Sequence, residues 1–224
     1  SGMIFFSGCP LKCAYCQNHQ ISTARHPIGI GVSVEELASV MLELQGMGAT
    51  NLNMVTGTHF IPSIIESLHL ARSKGLVLDV VWNSSGFESI EGLALIDPYV
   101  DVYLIDVKTL DADVGATFCG LRRYVNDILP VMEFLKQRHP HTSVDEKGNL
   151  KGLLVRHLVF PTALAASFTV LEYFARELKE CAYLSLMVQF EPPLGNASFP
   201  PITEREYEAL LAALEEFGIE DGFV

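Results

Sequence analysis

Six apolar runs recur along the chain: MIFFSG (3–8), NLNMVTG (51–57), LVLDVVWN (76–83), VDVYLIDV (100–107), LLVRHLVF (153–160) and AYLSLMVQF (182–190). Most lack strict apolar–polar alternation, the pattern of strands covered on both faces of a parallel sheet. Helical patterns lie between them. Ser33 and Glu36 have the spacing of a capping box, and Leu37, Val40, Met41 and Leu44 then repeat on one helical face. Further helices are predicted over 60–74, ending at Gly75, and over 88–96, 124–138, 165–179 and 203–217. The polar stretch HPHTSVDEKGNLKG (139–152) reads as a hairpin or mobile loop.

The chain thus alternates strand and helix six times, which implies an α/β protein with parallel strands inside and helices outside. An open doubly wound sheet and a barrel both satisfy this pattern. The dinucleotide-binding version of the open sheet needs G-x-G-x-x-G after a strand, and no strand has it; Gly29 and Gly31 fall in a loop. A barrel, closed or three-quarters open, is the preferred reading.

Composition narrows the classes. Hydrophobic residues make up 49% and charged residues 19% of the 224 positions, enough for a large core. We expect one domain over 1–224, with room for an upstream segment because a strand-like run starts at once. The formal net charge of −12 argues against non-specific binding to nucleic acid or an anionic membrane. No run reaches the length of a membrane span, and no basic region followed by an apolar one marks export. The expected location is the cytoplasm.

The cysteines change the picture most. Cys9, Cys13 and Cys16 follow C-x3-C-x2-C, whereas Cys119 and Cys181 stand far away. An odd count without an export signal is no disulfide framework and points to a metal–thiolate site. Cys119 and Cys181 are expected as buried or surface thiols. His19, three residues after Cys16, would complete a Cys3His zinc site. Three thiolates alone would leave one iron of a [4Fe–4S] cluster open to an outside ligand, since such a cluster normally takes four cysteines. Tyr15 would shield that centre or touch a ligand.

In a βα barrel the chemistry gathers at the carboxyl ends of the strands. Those ends carry Thr56-Gly57-Thr58-His59, Asn83-Ser84-Ser85-Gly86, Asp106-Val107-Lys108, Arg156-His157 and Gln189-Phe190-Glu191. Asp106 and Lys108 are two apart and share a strand face, either as an internal ion pair or as ligand contacts. Arg156 is placed to grip a carboxylate or to make a structural salt bridge. His157 points the other way and reads as a satisfied core histidine. His59 reads as a loop or helix-start residue.

C-x3-C-x-aromatic-C after a first strand resembles the radical S-adenosylmethionine (SAM) superfamily. FFSGCPLKCAYCQNHQIS, VTGTHF, NSSG, YLIDVK and LVRHLVFP together resemble its PflX-like group, proteins similar to pyruvate formate-lyase activating enzyme. The resemblance implies a (β/α)6 partial TIM barrel over nearly the whole chain. It implies that Cys9, Cys13 and Cys16 hold a [4Fe–4S] cluster whose open iron chelates SAM. One electron then cleaves the sulfonium, and the resulting 5′-deoxyadenosyl radical abstracts a substrate hydrogen. By the same resemblance Tyr15 lies near the adenine. Asn83, Ser84, Asp106, Lys108 and Arg156 contact SAM or a monovalent cation beside it, and Met187 or Gln189 contributes. The superfamily's G-G-E at the second strand end is replaced by Thr56-Gly57-Thr58-His59, where the Thr56 or Thr58 hydroxyl can take the SAM amino group. Implied partners are a glycyl radical protein as substrate and an electron donor such as flavodoxin or ferredoxin. A small-molecule substrate and the Cys3His zinc module are the alternatives.

Overall fold

A computed structural model describes residues 1–22, 28–146, 148–192 and 199–224. Among the described residues there are eight strands: β1 (Gly2–Phe5), β2 (Asn51–Val55), β3 (Asp79–Ser84), β4 (Val102–Asp106), β5 (Ser143–Val144), β6 (Leu150–Leu158), β7 (Ala182–Met187) and β8 (Gly222–Phe223). The helices are α1 (His19–Ser22), α2 (Val34–Gly46), α3 (Ile61–Ser73), α4 (Ile90–Ile96), α5 (Ala112–Cys119), α6 (Tyr124–Arg138), α7 (Leu164–Glu177) and α8 (Glu204–Glu216). The strand order is β1-β2-β3-β4-β6-β7-β8, with β5 antiparallel to β6. That path has two free ends, so the sheet is open, as in a partial barrel. No helix among the described residues is long and apolar enough to cross a membrane.

Residue contacts gather into two units. The first contains Ser1–Cys9, Asn18–Ser84 and Glu88–Leu104. Its strands are parallel, with Leu52 beside Val80 and Val55 beside Asn83. Leu52, Met54, Val80 and Trp82 are fully buried, while Asn51, Asn53 and Val55 between them are only partly covered. β3 is buried on both faces, Val81 and Asn83 included, as its unbroken apolar run predicts, whereas β2 alternates between buried and partly covered positions. Ser33 caps α2 through the Glu36 amide, and Glu36 accepts the Ser33 N–H at 2.7 Å, so the predicted capping box forms.

The second unit contains Pro10–Gln17, Ser85–Phe87 and Ile105–Val224. β6 and β7 pair in parallel from Leu153–Ala182 to Leu158–Met187. The predicted hairpin is present: Ser143 and Val144 face Lys151 and Leu150, and Asp145 closes the turn by accepting the Asn149 N–H at 2.8 Å. Thr203 and Glu206 form a second capping box on α8.

Several boundaries differ from the sequence reading, each for a backbone reason. The first strand stops at Phe5 rather than residue 8, because Gly8 turns away at φ +90° and donates to the Ile21 carbonyl. The third begins at Asp79 rather than residue 76, because the Leu76 N–H still serves the end of α3, at Ala71. The sixth expected strand ends at Met187, because Val188 N–H turns to the Gln189 side chain. Lys108 lies just beyond β4 rather than on it. α1, α5 and β8 were not expected; at four, eight and two residues they are too short to show a period.

His157 is the core histidine expected. Its Nδ1 donates to the Val107 carbonyl at 2.8 Å, and its Nε2 meets the Ser167 hydroxyl of α7 at 2.9 Å. Burial drives its pKa down to about 4, so the folded state holds it neutral. The unfolded chain binds this proton below about pH 6.5, whereas the folded chain resists until about pH 4. Stability should therefore fall as pH drops from about 6.5 to 4, by on the order of 3 kcal/mol from this group. Urea titrations of wild type and His157→Gln across that window should show the smaller loss in the variant; parallel curves would remove this assignment.

Candidate active site

The cysteine motif is divided between the two units, with Cys9 in the first and Cys13 and Cys16 in the second. On the first unit, Ser7 and Gly8 lead into Cys9. His59 Nε2 lies 2.7 Å from the Ser7 carbonyl, and a Cβ at Gly8 would come within 3.2 Å of that same nitrogen. The G-T-H replacement at the β2 end thus braces the turn that precedes Cys9, a role the sequence reading did not give His59.

On the second unit, the Cys13–Cys16 turn closes with Cys16 N–H to Cys13 carbonyl at 3.2 Å. Residues on both sides of Cys13 dock on the end of α5: Lys12 N–H donates to the Cys119 carbonyl at 3.3 Å and Ala14 N–H to Phe118 at 2.9 Å. Gly120 makes this approach possible. It sits at φ +69°, and a Cβ there would lie 2.8 Å from the Lys12 carbonyl oxygen. The signals for α5 were the Asp111 N-cap, whose carboxylate accepts the Asp113 and Val114 amides, and the left-handed Gly120 stop.

Behind the loop, Phe118 stacks on Phe160 at 4.4 Å, and Tyr15 packs on Phe160 at 5.0 Å and Phe190 at 5.6 Å. The Lys108 ammonium stands 5.7 Å from the Tyr15 ring centre, within cation–π range. The Tyr15 hydroxyl is buried without a hydrogen bond of ordinary geometry. The Cys13 thiol is lowered to about 6, first by hydrogen bonding from Cys119, against the cost of burial, with Lys108 and Tyr15 adding to the effect.

Asp106 is shared. Its Oδ2 takes Lys108 Nζ at 2.9 Å and its Oδ1 takes Arg156 Nε at 2.7 Å. Burial alone would raise this carboxyl, but the two cations outweigh it and hold it below the usual range. Lys108 remains firmly protonated, because Asp106 outweighs its own desolvation. The ion pair and the salt bridge considered from sequence are thus one triad. Tyr124 supports it from α6: its hydroxyl lies 2.7 Å from the Asp106 carbonyl and 2.9 Å from that of Ser85, and accepts the Lys108 N–H at 3.2 Å. Met187, on the same partly covered face as Arg156, ends β7, and Gln189 lies just beyond it.

In the first unit, the ends of β2 and β3 meet at a residue the sequence reading missed, Glu88. Its Oε1 accepts from Thr58 at 2.6 Å, from Trp82 Nε1 at 2.9 Å and from Ser84 at 2.9 Å. Burial raises its pKa against the pull of these three donors. Thr58 and Ser84 therefore have a structural partner. Asn83 donates its amide to Asn53 at 3.1 Å, and its carbonyl accepts the Thr56 N–H at 2.9 Å. Thr56 itself is left-handed, at φ +59°, a strain of about 1–3 kcal/mol for a β-branched residue.

All five cysteines are without disulfides. Among the described residues, no group of three or more His, Cys, Asp and Glu is drawn together as a single metal ion requires. The donor chemistry fits an iron–sulfur cluster: three partly buried cysteines in eight residues, one of them readily a thiolate near neutral pH.

The radical SAM superfamily profile matches residues 3–146, which include all three clustered cysteines. The chain belongs to the radical SAM superfamily, and membership implies SAM and a [4Fe–4S] cluster. It is 28% identical over 224 residues to the uncharacterized protein MJ0674 of Methanocaldococcus jannaschii, across 96% of this chain and 61% of that protein. Its fold is similar to that of Streptococcus suis SuiB, with a TM-score of 0.69 at 10% identity over 100% of this chain and 48% of SuiB. SuiB has also been solved with SAM bound. A domain of pyruvate-formate lyase-activating enzyme from Bacteroides vulgatus is similar too, with a TM-score of 0.55 at 13% identity over 78% of this chain and 98% of that one. At these identities the structural likenesses establish the fold. The chain spans about three fifths of the M. jannaschii protein and about half of SuiB.

Glu88→Ala leaves the Trp82 N–H and two hydroxyls without their acceptor and should cost about 3 kcal/mol of stability. A urea midpoint shifted down at constant m-value would show it; a loss below about 0.5 kcal/mol would mean that Glu88 is not the hub of these strand ends.

Proposed function

We propose that Cys9, Cys13 and Cys16 hold a [4Fe–4S] cluster that serves SAM cleavage, and that the substrate is a glycyl radical protein. The observation that carries the first part is the family match over 3–146, which places all three cysteines of the C-x3-C-x2-C motif inside it. Held by these three cysteines, the cluster would supply the one-electron reduction that SAM cleavage to a hydrogen-abstracting 5′-deoxyadenosyl radical requires.

The chain's residues have defined work in this reading. The lowered Cys13 pKa reduces the cost of deprotonating that ligand. Tyr15, packed on Phe160 and Phe190, keeps water from the inner side of the loop and offers its ring to the adenine. Lys108 and Arg156 give the triad a net positive charge around Asp106, suited to the carboxylate of SAM. Thr56, Thr58, Asn83 and Ser84 belong to the SAM amino and ribose side. Thr58 donates its proton to Glu88 and keeps lone pairs for an ammonium. A monovalent cation beside SAM belongs to the same reading. Because Asp106 already faces two cations, backbone carbonyls are the better source of its ligands. An electron donor such as flavodoxin or ferredoxin completes the cycle in this reading. The glycyl radical assignment rests on the PflX-like resemblance, supported by the fold shared with the B. vulgatus activating-enzyme domain; a small-molecule substrate is the second reading.

Anaerobic reconstitution should load about four irons per chain, and reduced protein with SAM should release 5′-deoxyadenosine. Cys13→Ala should abolish release, with loss of at least 100-fold expected for a missing cluster ligand (about 2.7 kcal/mol or more in barrier terms). Uptake of zinc without iron would defeat the cluster assignment. A glycyl radical signal in a partner protein, against deuterium transfer from a labelled small molecule, decides between the two substrate classes. Replacing potassium by sodium or a bulky organic cation tests the cation.

A further inference from the structure

β7 carries two hydroxyls on the side of the sheet opposite α7. Tyr183 and Ser185 are two apart, so they share one side of the strand. Both are partly covered, whereas Ala182, Leu184 and Leu186 on the other side are buried. The register identifies the two sides. Ser185 lies beside Arg156 of β6, and Tyr183 beside Leu154. His157 points the other way and meets Ser167 of α7 at 2.9 Å, so α7 covers that face. On the Ser185 side, Arg156 meets Asp106 at 2.7 Å. Across β7, Phe223 of β8 stands beside Ser185 and is 59% exposed. All of these residues belong to the second unit. Among the described residues, neither the Tyr183 nor the Ser185 hydroxyl has a hydrogen-bond partner, and neither is sealed from solvent. Two polar groups on an inner strand face, beside the charged triad, are thus open to a ligand.

From this placement we infer that Tyr183 and Ser185 bind the substrate's main chain, donating their hydroxyls to amide carbonyls of an extended segment that carries the reacting glycine. The inference deepens the glycyl radical reading above and rests on it. Spacing favours a peptide. Residues i and i+2 of a strand stand about 6.6 Å apart, the same repeat as carbonyls i and i+2 of an extended chain. Charge favours a neutral ligand. Lys108, Arg156 and Asp106 together carry one net positive charge, and the SAM carboxylate assigned to them in that reading balances it. A second anion beside Arg156 gains little there, whereas a carbonyl oxygen needs only a neutral donor. Leu154 and Phe223 flank the two hydroxyls and offer apolar contact to the segment's side chains.

The test is anaerobic isothermal titration of the reconstituted protein, with SAM present and the cluster oxidised. The probes are a blocked alanine pentapeptide with a central glycine, and acetylglycinate as the carboxylate. Wild type should bind the peptide more tightly than acetylglycinate. Tyr183→Phe and Ser185→Ala should each weaken peptide binding about five- to tenfold, the range for one lost neutral hydrogen bond. Ser185→Thr keeps the hydroxyl and should retain binding. If one variant does not fold by circular dichroism, the other decides. Unchanged peptide affinity in the variants, no peptide binding by wild type, or tighter binding of acetylglycinate overturns the assignment. A glycyl radical formed in a partner protein alongside any of these results leaves the substrate reading standing and removes the hydroxyl pair alone. Deuterium transfer only from a small molecule removes both.

Discussion

A single carboxylate organises the second unit. Asp106 ends β4, and its two oxygens are divided between Lys108, two residues on, and Arg156 of β6. The cost of placing three charged groups in a partly buried setting is met only because each has a partner. Removing the acid would leave two cations facing one another. The arrangement also explains neighbouring features. Tyr124 takes up the backbone polar groups where β4 ends, and Lys108, held by Asp106, lies over the Tyr15 ring. Strand pairing, a helix and the cysteine loop thus depend on one charge balance.

The second constraint is steric. A loop with three cysteines has little regular structure of its own and must borrow rigidity. It does so from α5, whose end offers two carbonyls to the loop amides, and from a glycine that lets the two backbones approach. In the first unit the brace is different: His59, just after β2, bonds the Ser7 carbonyl. The buried Glu88 meanwhile gathers Thr58, Trp82 and Ser84. The departure from G-G-E is therefore accompanied by a local network of its own.

Much of this was legible in the residues. The apolar runs located every parallel strand of the open sheet except β8, and the Ser33–Glu36 spacing located a helix start to the residue. The cysteine spacing pointed to the family, and His157 was read as a core residue because it alternates with Arg156. Such features are local: a period, a cap or a short motif carries them. Cys119 and Glu88 escaped notice because their meaning is not local. Cys119 lies more than a hundred positions from the thiol it faces, and α5 is only eight residues long, with a glycine inside it.

The chain's order of residues therefore settled the class of fold and the chemistry of the donor set, since both follow from short-range pattern and residue type. Only tertiary structure decided which charges share a partner and which buried thiol stands behind Cys13. It also decided which acid supports the β2 and β3 ends. Those are distances between residues far apart in sequence, and no periodicity encodes a distance.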